Sequence, residues 1–150
     1  MSLDRRTFMA LTGGAAAAAT LGLPAIAFAA TEEMDEAVKA FTGGAEVKEG
    51  RVSLGTPEIA ENGNTVPVEV SVESPMTDDD YVESVLILAD GNPRPGVATF
   101  KFTPMSGDAS AKTRIRLAKT QDVVAIAKMS DGSFYRDAKT VKVTIGGCGG

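Results

Sequence analysis

The chain has 150 residues, with 15 Lys and Arg against 20 Asp and Glu, a net charge of −5, and 43% hydrophobic residues. That composition is ordinarily globular and fits one domain, and an acidic surface without Trp argues against nucleic acid as a partner. There is no histidine and only one cysteine, so the commonest general base is missing and a Cys/His zinc site cannot be assembled within the chain. Neither a catalytic group nor a metal or cofactor site is expected.

Residues 1–30 read as an export leader. Arg5-Arg6-Thr7-Phe8 precedes a long Ala- and Gly-rich apolar run, and Ala27-Phe28-Ala29 supplies the small residues that a signal peptidase reads. The paired arginines resemble a twin-arginine signal, which directs folded cargo to the periplasm. Cleavage after Ala29 or Ala30 removes Arg5, Arg6 and Asp4, two positive charges and one negative, so the remaining chain carries −6. No membrane association is expected after cleavage.

Residues 31–145 then read as one domain. Thr31 to Phe41 suits a short amphipathic helix, capped by Thr31, closed by Gly43-Gly44, and apolar along Met34, Val38 and Phe41. That stripe is expected to dock on the domain body. From Val47 the period becomes that of strands. Thr65 to Glu73 alternates strictly, with Val66, Val68, Val70 and Val72 on one face. The turn Asn62-Gly63-Asn64 predicts a hairpin partner between Arg51 and Ile59, and Pro67 places the strand at an edge or a bulge. Tyr81 to Ala89 suits a central strand, and further strands follow at Ala98 to Phe102, Thr113 to Ala118, Asp122 to Met129 and Phe134 to Ile145. Asp78-Asp79-Asp80 and Pro93-Arg94-Pro95 read as solvated turns. The fold class is all-β: an immunoglobulin-like antiparallel β-sandwich with a short N-terminal helix.

The chain ends Gly146-Gly147-Cys148-Gly149-Gly150. Glycine lacks a Cβ, so flanking pairs make residues 146–150 a flexible, slim arm around the only thiol. At full extension the thiol reaches roughly 10 Å beyond Ile145, enough to enter a narrow pocket of another protein. A thiolate is the reactive form, and no basic residue lies between Lys142 and Cys148 to favour it. Activation is therefore expected from a partner enzyme, and Cys148 is expected to be a covalent attachment point loaded and unloaded by others. Two alternatives stand beside this one. An exported immunoglobulin-like binding module would use Cys148 for an intermolecular disulfide. A ubiquitin-like sulfur carrier would use Gly149-Gly150, but the leader sends this chain where ATP is absent.

The leader, the acidic β-rich domain and the Gly146-to-Gly150 pentapeptide together resemble the SoxY family, the sulfur-carrying subunits of bacterial thiosulfate oxidation. The resemblance covers the whole chain and is most specific at the pentapeptide. It implies that Cys148 holds thiosulfate-derived sulfur as a thiosulfonate or persulfide. It implies a heterodimer with a SoxZ-like β-sandwich subunit. It also implies a haem-containing conjugating enzyme, a sulfate thiohydrolase and, where present, a sulfane dehydrogenase as partners. The carrier itself would perform no redox step and need no cofactor.

Overall fold

The structure is a computed structural model that describes residues 32–147; Arg5, Arg6 and the leader, Thr31, and Cys148, Gly149 and Gly150 lie outside the described residues. One helix, α1 (Glu32–Thr42), precedes nine strands: β1 (Val47–Glu49), β2 (Val52–Gly55), β3 (Ile59–Ala60), β4 (Val66–Val72), β5 (Val82–Ala89), β6 (Gly96–Lys101), β7 (Ser110–Ile115), β8 (Gln121–Met129) and β9 (Phe134–Val143). A single 3₁₀ turn, Pro104–Ser106, lies between β6 and β7.

The strands form two sheets. The larger runs β1-β9-β8-β5-β6, with β3 also paired to β9, and the smaller runs β2-β4-β7. Pairing is antiparallel except where β1 and β3 meet β9, and both of those short pairings are parallel. The alternation of β4 is realised in full: Val66, Val68, Val70 and Val72 are buried, and the residues between them are exposed. Opposite them, the larger sheet presents Val85, Ile87, Ala125, Ala127 and Val141 to the same core. Burying a Val, Leu or Ile side chain contributes about 1.5–3 kcal/mol, so these facing rows hold the two layers together.

The other face of the larger sheet is also apolar, at Leu88, Val124, Ile126 and Phe134, and α1 covers it with Met34, Val38 and Phe41. Phe41 meets Phe134 edge to face, with ring centroids 5.9 Å apart. The helix stops at Gly43, whose φ of +65° suits glycine and whose amide donates to the Lys39 carbonyl at 2.8 Å.

Two expectations differ in detail. The partner expected between Arg51 and Ile59 is present, since β2 pairs antiparallel with β4, but Asn62-Gly63-Asn64 is not a tight turn joining them: β3 intervenes and leaves the smaller sheet to pair with β9. Pro67 lies in the central strand of the smaller sheet. However, the β2 pairing ends at Gly55↔Glu69, so no strand flanks Pro67 on that side and its missing N–H leaves no gap in a ladder.

Candidate functional site

The end of β9 leads the chain to a clasp built from backbone alone. The parallel β3–β9 pairing continues past Val143, where Thr144 donates its amide to the Ala60 carbonyl at 3.0 Å and its hydroxyl to the Glu61 carbonyl at 2.9 Å. This brings Ile145 to the turn after β3. There the Gly63 amide donates to the Ile145 carbonyl at 2.7 Å, the Leu117 amide to the Gly63 carbonyl at 2.8 Å, and the Gly147 amide to the Leu117 carbonyl at 2.9 Å.

Three strand connections thereby close on one another, and only glycine fits between them. A Cβ on Gly63 would stand 2.3 Å from the Leu117 oxygen and 2.6 Å from the Gly147 nitrogen. One on Gly146 would stand 2.2 Å from the Ala118 oxygen, and one on Gly147 would stand 2.8 Å from the Gly63 oxygen. All four obstacles are backbone, which cannot rotate aside as a side chain could. None of these glycines is among those with positive φ, so the requirement is close approach and not left-handed geometry.

The expectation of a free arm from residue 146 therefore needs correcting at its base. Gly146 and Gly147 are held in the clasp, and Gly147 is buried. The sequence reading assigned both glycines to mobility and missed Gly63 as their counterpart, because a close approach between residues far apart in sequence leaves no local pattern. Cys148, Gly149 and Gly150 follow directly but lie outside the described residues.

A buried polar pair supports the clasp from the other side. Asn92 donates from Nδ2 to the Arg116 carbonyl at 2.8 Å and accepts on Oδ1 from the Ala118 amide at 2.9 Å. Gln121 donates from Nε2 to the same Asn92 oxygen at 2.9 Å and to the Lys119 carbonyl at 3.0 Å, and accepts the Gly91 amide at 2.8 Å. The segment Arg116–Ala118 is therefore gripped on one backbone edge by Asn92, while its other edge holds Gly63 and Gly147. Buried amide side chains persist only when satisfied, and among the described residues no buried side-chain polar atom lacks a partner.

Among the described residues no group of three or more acids could gather a metal ion, and no helix is long and apolar enough to cross a membrane. The acids Asp78, Asp79 and Asp80 form an exposed or half-buried turn closed by Thr77, with Asp80 set 3.5 Å from Arg51.

The structure defines a class: a two-layer β-sandwich with a helix on its larger sheet, whose backbone is clasped up to the residue before its only cysteine. The model of the family described as sulfur oxidation protein SoxY matches residues 38–148, a span that runs through Cys148, and the chain belongs to the SoxY family. No curated protein matches. Among solved structures, the sulfur carrier protein SoxY from Chlorobium limicola f thiosulfatophilum is 33% identical, with a TM-score of 0.64 over 75% of this chain and 97% of that one. A superoxide reductase from Ignicoccus hospitalis (18% identity, TM-score 0.57, 63% of this chain and 80% of that one) and one from Nanoarchaeum equitans (11%, 0.54, 63% and 99%) share the fold alone.

Proposed function

We propose that this chain is a non-catalytic sulfur carrier of thiosulfate oxidation, with Cys148 as the attachment point. The observation that carries the reading is the clasp: Gly63, Leu117 and Gly147 hold the backbone to within one residue of the only thiol. Family membership and the likeness to the Chlorobium sulfur carrier support the role in sulfur oxidation.

The chemistry follows from a thiol that has partners to activate it. The Cys148 thiol and the sulfane sulfur of thiosulfate join in a new S–S bond, releasing one proton and two electrons that a haem-containing conjugating enzyme accepts. Water then cleaves the S–SO₃ bond on a sulfate thiohydrolase, giving sulfate and a Cys148 persulfide. A sulfane dehydrogenase, where one is present, oxidises the remaining sulfur. The carrier works as a heterodimer with a SoxZ-like subunit, and Arg5 and Arg6 direct its export, already folded, to the periplasm.

Intact mass of the protein from thiosulfate-grown cells, before and after reductant, tests the reading. Reductant-removable sulfur mass on the peptide containing Cys148 is expected. A bare thiol, or a Cys148–Cys148 dimer alone, would overturn it in favour of a binding module.

A further inference from the structure

We propose that the groove between the open edges of β6 and β7 is a binding site for a sulfonate-type oxyanion, the –SO₃⁻ end of a thiosulfate-derived species. The groove has a volume of about 380 Å³ and is lined by Asn92, Arg94, Val97, Ala98, Arg114 and Arg116 among others.

Its charge is the first argument. The described residues include five arginines. Arg51 pairs with Asp80 and Arg136 with Glu49, and the remaining three, Arg94, Arg114 and Arg116, make no ion pair and all line this groove. No acidic side chain lines it, although Asp and Glu outnumber Lys and Arg by 20 to 15 in the chain. Arg94 had read as a turn residue held between Pro93 and Pro95. The fold gives it two arginine neighbours from the other sheet's edge, Arg114 in β7 and Arg116 just beyond it.

A guanidinium is charged at every accessible pH, and its planar fork matches the paired oxygens of an oxyanion. All three side chains are exposed, so water hydrates the forks of the free groove, and a neutral or purely apolar ligand would displace that water without matching their charge. A sulfonate group would answer them.

Location is the second argument. Arg116 and Ala118 are held by Asn92 on the groove side, and the residue between them, Leu117, holds Gly147 at 2.9 Å. The groove and the clasp thus meet at opposite edges of one three-residue segment, the groove at Arg116 and the clasp at Leu117. Consecutive Cα atoms are about 3.8 Å apart, so Cys148 departs one such step beyond a residue bonded to Arg116's neighbour. Two occupants share the required chemistry: free thiosulfate, or the sulfonate tail of an adduct on Cys148, the latter resting on the carrier reading above. A persulfide lacks the sulfonate, so the groove distinguishes the adduct before sulfate release from the adduct after it.

Arginine side-chain Nε–H resonances, followed by NMR, test the site in two arms. In the first, sodium thiosulfate is titrated into the Cys148→Ser protein and compared with sodium chloride at matched ionic strength. Saturable shifts at Arg94, Arg114 and Arg116 with thiosulfate only are expected. In the Arg114→Gln/Arg116→Gln variant the affinity should weaken by about tenfold or more, while the backbone amide spectrum reports that the fold is kept. In the second arm the protein with Cys148 intact is treated with tetrathionate, which places –S–SO₃⁻ on the thiol and releases thiosulfate. The same resonances are expected to shift after free anion is removed. Shifts in the first arm alone support the groove with free anion as occupant, and shifts in the second alone support it with the tethered tail. Equal response to chloride, or no response in either arm, would overturn the proposal. The first arm is independent of loading in cells, so thiosulfate binding by a protein whose Cys148 is isolated bare would keep the groove and remove the carrier reading.

Discussion

The amide of Gly147 donates to the carbonyl of Leu117 at 2.9 Å, which ties the residue before the only cysteine to the segment following β7. The backbone is therefore held through Gly147 and not only as far as Ile145. Slimness at Gly146 and Gly147 serves the clasp.

Gly63→Ala should disturb the clasp selectively. The added methyl would stand 2.3 Å from a backbone oxygen, and such overpacking costs about 1–3 kcal/mol. Urea unfolding is expected to report that loss, together with faster hydrogen exchange at the Gly147 amide. Gly55→Ala is the control, because its Cβ would meet Glu69 at an ordinary 3.6 Å. Equal stability of the two variants would remove the argument from close approach.

Cys148→Ser should leave folding unchanged and abolish thiosulfate-dependent electron release by the reconstituted system. Cys148 follows the clasp and contributes nothing to it that Ser could not. Retained turnover with the serine variant would refute the attachment role.

Asn92→Ala would strand the Arg116 carbonyl and the Ala118 amide and remove one partner of Gln121. Leaving buried polar groups unpaired costs about 1–3 kcal/mol each when no water enters. The expected outcome is a lower urea midpoint, with exchange accelerated first at residues 116–118. Unchanged protection there would mean that Asn92 does not support the clasp.

Most of the fold was legible because its signals are local. The valines of β4 alternate without a break, and Met34, Val38 and Phe41 fall on one helical face that docks as expected. The SoxY resemblance, carried chiefly by the glycines around Cys148, is borne out by the family match. What escaped the sequence is non-local. The parallel attachment of β3 to β9 depends on a chain reversal that Asn62-Gly63-Asn64 suggests equally well as a hairpin turn. Asn92 and Gln121 look like turn and strand-end residues until the fold sets them 2.9 Å apart. The three arginines of the groove come from two different segments of the chain.

Phe41→Ala should loosen α1 without touching the clasp. The half-buried ring packs on Phe134, and losing it is expected to cost about 2 kcal/mol, less than the 3–5 of a fully buried phenylalanine. Exchange protection should fall over residues 32–42 and persist at Gly147. Loss of protection at both places would show that helix and clasp unfold as one unit.

Asp131 offers a pH measurement. The Ser133 hydroxyl and then the Ser133 amide donate to its carboxylate and hold its pKa below the ordinary aspartate value. A carboxyl depressed in the folded state stabilises it above the normal carboxylate range, and that contribution fades as pH falls through the depressed pKa. Ser133→Ala should return the Asp131 titration, read from its side-chain ¹³C shift, toward the unperturbed midpoint.

Strand β9 completes the larger sheet, with β8 along one edge and β1 and β3 along the other. Val47 finds its partner only in Phe134, so a ribosome must deliver β9 before β1 and β3 can pair, whereas β2 finds β4 close behind it. Pairings between such distant residues form slowly. The strand that ends this wait also leads the backbone into the clasp, so closing the larger sheet and forming the clasp depend on the same late segment.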